Sequence, residues 1–374
     1  MNRRPSQSRN GFDSFSPQHT AHFKAAQPGD EFFEPKPRAP LGRRLLLALL
    51  ALLLIALAVN LAVNQFVQVA RVTVPIRRMD SAFEGYTLLH ISDLKGATYG
   101  SGQSLIRFAL QNEDFDAVVL TGDMVSSRGN AQPLYELIEM LRELKPDAPI
   151  YMIPGDKDPL PASMSYATGG SPFAPWVLGA KQRGAQLLSA PVQIERGGHT
   201  LWLTTSALLS LDMDTMQGQF ERQYLDALAT GDENAIELTT YNLQWLTETR
   251  DARAKMTDAD VYIALTHVPP ADEELEGAYS GSLRERVHLV LCGHYQGGLV
   301  RLPFVGALFI PSQNLPLYGL LPGEETYYGL TKKGGTYLYV SPGLGGNDGL
   351  YPLPFFRLFN PPTVSLISLT TSSL

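Results

Sequence analysis

Five short apolar runs set the frame for this chain: "YTLLHIS" (86–92), "AVVLT" (117–121), "IYMIP" (150–154), "VYIALT" (261–266) and "VHLVLC" (287–292). Each has strand length, is rich in branched residues, and does not alternate between apolar and polar. Strands that are apolar on both faces must be covered on both faces, which points to an α/β fold around a buried sheet. Helical patterns lie between the runs. "PLYELIEMLREL", Pro133 to Leu144, places Leu134, Leu137, Ile138 and Leu141 on one face with charges opposite, as a core-covering helix requires. "NLQWLTETRDARAK" (242–255) reads as a second amphipathic helix before a strand that starts near Asp260. A strand-rich tail closes the domain.

The runs end in polar residues of a particular kind: Asp93, Gly122-Asp123, Gly155-Asp156, His267 and Gly293-His294. One aspartate after a strand is commonly a cap or turn residue. Five such endings at one sheet edge, where open α/β folds bind their ligands, are a different matter. Hard carboxylate oxygens beside imidazole nitrogens are the donor set of a divalent transition metal, and glycine lets the backbone turn sharply beneath the ligands.

The N-terminus is built differently. Residues 1–44 are rich in Pro, Ser, Gln, Arg and Lys without apolar periodicity, and read as a disordered tail. From Leu45 to about residue 67 the chain is apolar enough for some 20 residues to cross a bilayer core of roughly 30 Å as a helix. The long leader and the lack of a small-x-small site favour a retained signal anchor over a cleaved signal. Lys36, Arg38, Arg43 and Arg44 precede the span, and Arg71, Arg77 and Arg78 follow it. The Arg43-Arg44 pair favours a single-pass protein of the cell membrane, with a cytoplasmic N-terminus and an extracytoplasmic domain. Residues 68–85 read as a linker, and the folded domain as 86–374.

Net charge is −7, of which the tail contributes +4 and the remainder −11. An acidic body gives no basic face for nucleic-acid phosphates, so no nucleic-acid partner is expected. A single cysteine, Cys292, excludes an intrachain disulfide and a thiolate zinc cluster.

"SDLKG", "LTGDM", "IPGDKDP", "LTHVPP" and "LCGHYQGG" follow one another in an order that resembles a calcineurin-like metallophosphoesterase of the bacterial membrane-anchored type. That family's motifs run D-x-H, G-D, G-N-H-D/E, a lone H and G-H-x-H. "GGLVRLP", "YVSPGLGG" and "FRLFNPP" extend the likeness toward the C-terminus. The resemblance implies a sandwich of two mixed β-sheets flanked by helices. It also implies a two-metal site whose ions share a bridging aspartate, here Asp123.

Four positions depart from the pattern. Lys95 and Gln296 stand where the family's first metal takes histidines, which leaves Asp93 and the bridging Asp123 in that half. Asp156 and Lys157 stand where the third motif has Asn-His. The resemblance assigns the second metal to Asp123, Asp156, His267 and His294, all of which carry donors. Lys95 would then place an ammonium where the first metal sits. Asp93, Asp123 and Asp156 against Lys95 and Lys157 give a formal −1, which one divalent ion brings to +1.

Two readings remain open at this point. One is a membrane-anchored phosphoesterase with a reduced, single-metal site for one divalent ion of the Mn, Fe or Zn type. In it Lys95 and Lys157 would be catalytic and stabilise developing charge. Its partner would be a phosphorylated small molecule or a lipid headgroup. The alternative is a catalytically inactive phosphoesterase fold, with or without metal, serving as a binding or regulatory module. "NLPLYGLLPGEETYYGL" (314–330) could cap the cleft or touch the membrane.

Overall fold

In the computed structural model, the described residues are 40–64, 66–166, 171–275, 287–302, 304–308, 310, 319–323, 327–346 and 357–371. The expected tail lies outside them, except for its last residues, as do 314–318 and 324–326 of the 314–330 loop. The chain divides into two compact units, Met1–Ile55 and Ala56–Leu374. What is described of the first is helical. One apolar helix runs Leu41–Val63, 23 residues or about 35 Å at 1.5 Å per residue, a candidate membrane span. It starts four residues earlier than the apolar run suggested, because Pro40 sets its first turn: the amides of Arg43 and Arg44 donate to the Pro40 carbonyl.

The second unit is a sandwich of two mixed six-stranded sheets. In chain order the strands are β1 Gln68–Pro75, β2 Thr87–Ile91, β3 Ala117–Thr121, β4 Ile150–Ile153, β5 Ala185–Leu187, β6 Val192–Arg196 and β7 His199–Thr205. They continue as β8 Val261–Leu265, β9 Leu289–Cys292, β10 Arg301–Leu302, β11 Gly306–Ala307, β12 Gly329–Lys333, β13 Thr336–Val340 and β14 Thr363–Thr370. One sheet has the order β1-β14-β2-β3-β4-β5, the other β12-β13-β9-β8-β7-β6. β10 and β11 form a separate hairpin.

Alternation explains why the strands read as continuous apolar runs. Leu89, Ile91, Val118 and Leu120 point to a core shared with Leu134, Leu137, Ile138 and Leu141 of the helix Gln132–Leu144. Their neighbours Leu88, Ala117 and Val119 point the other way, onto Leu201, Ile263, Leu265, Leu289 and Leu291 of the second sheet. Each such side chain contributes about 1.5–3 kcal/mol on burial, which fixes register, since a one-residue slip would exchange the two faces.

The stretch 68–85, expected to be a linker, is part of the body. Its β1 pairs in parallel with β14 over eight residues, from Gln68 against Thr363 to Pro75 against Thr370. β2, β3 and β4 run parallel to one another, as do β7, β8 and β9. The C-terminal ends of each set therefore deliver their polar residues to one edge.

Candidate metal centre

His267 is the organising residue. It follows β8, is 5% exposed, and its Nδ1 lies 2.8 Å from the Thr121 carbonyl. A carbonyl can only accept, so Nδ1 carries a proton and Nε2 faces the acids, the orientation that second-shell partners impose on metal-binding histidines. Nε2 lies 3.0 Å from Asp156 Oδ1 and 3.3 Å from Asp123 Oδ2. His294 Nδ1 lies 3.2 Å from the same Asp156 oxygen and 3.4 Å from His267 Nε2. Donor atoms of Asp156, His267 and His294 thus fall within 4.8 Å of one another. Those of Asp93, Asp123 and His267 form a second group of the same size.

Lys95 occupies the other half of the cleft. It is 8% exposed, between two fully buried carboxylates. Its Nζ is 3.1 Å from Asp123 Oδ2 and 3.9 Å from Asp93 Oδ1. Gln296 Nε2 donates to Asp93 Oδ1 at 3.3 Å, and the His294 amide donates to Oδ2 at 3.1 Å. Lys157 is turned outward. Its backbone amide donates to Asp123 Oδ1 at 2.9 Å, while its half-exposed Nζ meets Asp156 Oδ2 at 2.5 Å.

The backbone is strained into this shape. Asp93, Lys95, Asp123, His294 and Gln296 all take left-handed φ values between 51° and 71°. Each such conformation costs a non-glycine residue of order 1–3 kcal/mol and survives only where its surroundings over-determine it. Here the Asp93 amide is held by the Gly122 carbonyl and the Lys95 amide by the Asp123 carbonyl. Gly155 permits the closest approach: a Cβ there would stand 2.2 Å from Asp123 Oδ1.

The electrostatics ask for a cation. Burial works against charge on Asp123, but His267 and Lys95 outweigh it and hold the carboxyl below its ordinary range. The hydrogen bond from His267 is the main reason that Asp156 is held well below that range. In return His267, despite burial, is pushed up to about 11 by Asp123 and Asp156. Burial and the His267 charge lower His294. A divalent ion fits this donor set. Buried Asp123 Oδ2 is met by two cationic groups, Lys95 Nζ and His267 Nε2, and His267 holds a proton where an ion would serve the same carboxylates. Two imidazoles and two carboxylates suit a borderline metal.

Three residues not singled out from sequence support the site. Asp158 accepts from the amides of Gly155 and Val125, at 2.8 and 2.7 Å, and burial pushes its carboxyl up to about 6. Arg357, 2% exposed, donates to the carbonyls of Gln296, Pro342, Gly345 and Asn360 at 2.7–3.2 Å. Asn360 donates to the carbonyls of Gln296 and Gly298. Both lie in the stretch "FRLFNPP", whose signal was the pairing of Arg and Asn with apolar neighbours. Within this unit, Asn60 and Asn64 donate to the Arg357 carbonyl, and Asn60 Oδ1 accepts from the Phe359 amide. The last turn of the apolar helix is thereby tied to the segment beneath Gln296.

Comparison with solved structures finds phosphopantetheinyl hydrolase (PptH) from Mycobacterium tuberculosis, 12% identical, with a TM-score of 0.33, covering 70% of this chain and 91% of that one. A putative 5′-nucleotidase from Staphylococcus aureus is 11% identical, with a TM-score of 0.32, and the match spans 77% of this chain and 55% of that one. No curated protein matches significantly. The model of the calcineurin-like phosphoesterase family matches residues 86–296, more than half of the chain. That interval holds every strand ending described above, from Asp93 to Gln296, and the chain therefore belongs to the calcineurin-like phosphoesterase family.

Proposed function

We propose that this protein is a membrane-tethered phosphoesterase working with a single divalent ion. The observation that carries the reading is the asymmetry of the cleft. Donors of Asp156, His267 and His294 converge, while Lys95 Nζ lies 3.1 Å from Asp123 in the other half. Asp123, Asp156, His267 and His294 would hold the ion, which supplies Lewis-acid stabilisation of a phosphoryl oxygen and activation of water. Lys95 neutralises Asp93 and Asp123 and presents a fixed positive charge to a phosphoryl group in the cleft. Lys157, at the mouth, adds a second. Gln296 and the His294 amide hold Asp93 so that it faces Lys95. Residues 41–63 would anchor the chain, with the tail cytoplasmic and the body outside.

The substitution of Lys157 for histidine favours a second reading, a phosphate-binding module without turnover, because lysine, with an ordinary pKa near 10.4, is a poor proton donor to the departing ester oxygen at neutral pH. Hydrolysis of aryl phosphate mono- and diesters by the full chain, with and without Mn²⁺, separates the two. Metal-dependent turnover abolished by His294→Ala supports the enzyme. No turnover by wild type, together with a large gain in a variant combining Lys95→His, Gln296→His, Lys157→His and Asp156→Asn, supports the binding module.

A further inference from the structure

A groove of about 410 Å³ opens beside the metal centre and ends on His267, Thr266 and Pro154. Its walls are Ile153, Leu188, Leu208, Leu211, Trp245 and Leu265. It is where the inter-sheet core reaches the surface: Ile153 and Leu265 end β4 and β8, one or two residues before the ligand-bearing turns. Thr205 caps the short helix Ser206–Ser210 by accepting from the Leu208 amide, which sets Leu208 into the groove. Trp245, on the helix Glu233–Lys255, is fixed by donating its indole N–H to the Ser189 carbonyl and by an edge contact with Phe220. Among the described residues that line it, none but His267 is ionisable. A second cavity, of about 460 Å³, is lined by Arg301, Phe304, Tyr327 and Phe359 and touches none of the proposed metal ligands.

Continuity decides what the first groove takes. Its polar end is the imidazole whose Nε2 lies 3.0 Å from Asp156, so a ligand with its phosphate at the metal centre has an apolar channel beside it. A small polar alcohol would leave the half-buried Leu211 and Trp245 facing water. We propose that the substrate is an amphipathic phosphoester, and that this groove binds its aliphatic tail. The inference rests on the reading of the metal centre as a phosphate site. The volume falls within the 300–1,000 Å³ range of small-ligand pockets, and the mostly apolar lining with a few convergent polar groups matches their character.

Water-soluble n-alkylphosphonates test this with the full chain in lipid nanodiscs, read through tryptophan fluorescence. Trp245→Phe assigns the signal, since Trp176 and Trp202 are buried elsewhere. From methyl to octyl, affinity should rise by about three- to fourfold per methylene placed in the groove. n-Alcohols of equal length should bind far more weakly, and protein-free nanodiscs give the partitioning baseline. Ala207→Phe plugs the groove from an exposed position without adding a tryptophan and should flatten the chain-length dependence while leaving methylphosphonate affinity unchanged. Leu211→Asn, polar but uncharged, should do the same. Phosphonates that bind equally at every length would overturn the groove assignment and leave the phosphate site standing. Alcohols that bind as tightly as phosphonates would show an apolar crevice unconnected to phosphate. Should no phosphonate bind, both this inference and the reading beneath it fall.

Discussion

Replacing Lys95 by methionine keeps the side chain's length and removes its charge. The ammonium is 3.1 Å from Asp123 and 3.9 Å from Asp93, and both carboxylates are fully buried. Breaking a buried pair by removing one partner costs about 3–5 kcal/mol, because the remaining charge is left uncompensated. For a body of this size each kcal/mol moves Tm by about 2–4 °C, so the metal-free variant should melt about 6–20 °C below wild type. If Lys95 stands in for an ion, a divalent cation should repair the loss. A ligand at a thousand times its Kd adds about 4.1 kcal/mol, enough to close most of the gap. The assay is thermal unfolding of the full chain in nanodiscs, in EDTA and in millimolar Mn²⁺. Arg107→Met, which removes the exposed pair with Glu143, is the control and should cost less than about 1 kcal/mol. A gap under 2 °C in EDTA, or one that Mn²⁺ leaves unchanged, would refute the substitution of lysine for metal.

Other outcomes follow from the same geometry. Gly155→Ala would put a methyl 2.2 Å from Asp123 Oδ1 and should abolish metal uptake. Gly293→Ala, 2.5 Å from Asp93 Oδ2, should disturb the Lys95 half and leave uptake within a few fold. Isothermal titration with Mn²⁺ compares them. His267, held at about 11 in the metal-free protein, lies above its ordinary value. Its stabilisation is therefore complete below about pH 6.5 and fades as pH rises toward 11. At pH 8 each ion bound should release about one proton, measured by titration in buffers of different ionisation enthalpy, and no release would contradict the assignment. Arg357→Met strands four carbonyls around Gln296 and should cost at least about 3 kcal/mol in urea unfolding. In intact cells, external protease should digest the body and spare the N-terminal tail. Protection of the body would reverse the topology.

The parts of the fold that were legible in the sequence are those where packing leaves a pattern. β2, β3, β4, β8 and β9 are buried on both faces, so their runs are continuous, and the helix Gln132–Leu144 buries one clear stripe. The helix read at 242–255 begins at Glu233, and the helix Met213–Thr230 before it went unread. Both have few buried residues and so carry little periodicity, although Asp212 and Asp232 cap their first turns and Gly231 ends the first in a left-handed conformation. β1 has no legible strand signal because its partner β14 lies almost three hundred residues away, and no local pattern announces a pairing of that separation. At the site, residue identity and order named the donors. The depth of Lys95 between its acids, and the Arg357 and Asn360 brace under Gln296, arise from loops that only the closed sandwich brings together.

Elemental analysis of the purified full chain, after dialysis against trace Mn²⁺, Fe²⁺ and Zn²⁺, tests the central claim most directly. One divalent ion per chain is expected in wild type and none in His267→Ala; a second enters only where Lys95 is removed, and survives dialysis only when Lys95→His and Gln296→His are combined. Two ions per wild-type chain would show that Lys95 does not occupy the first metal's place. An ion retained after His267→Ala would show that the donors assembled around His267 are not the ones that hold it.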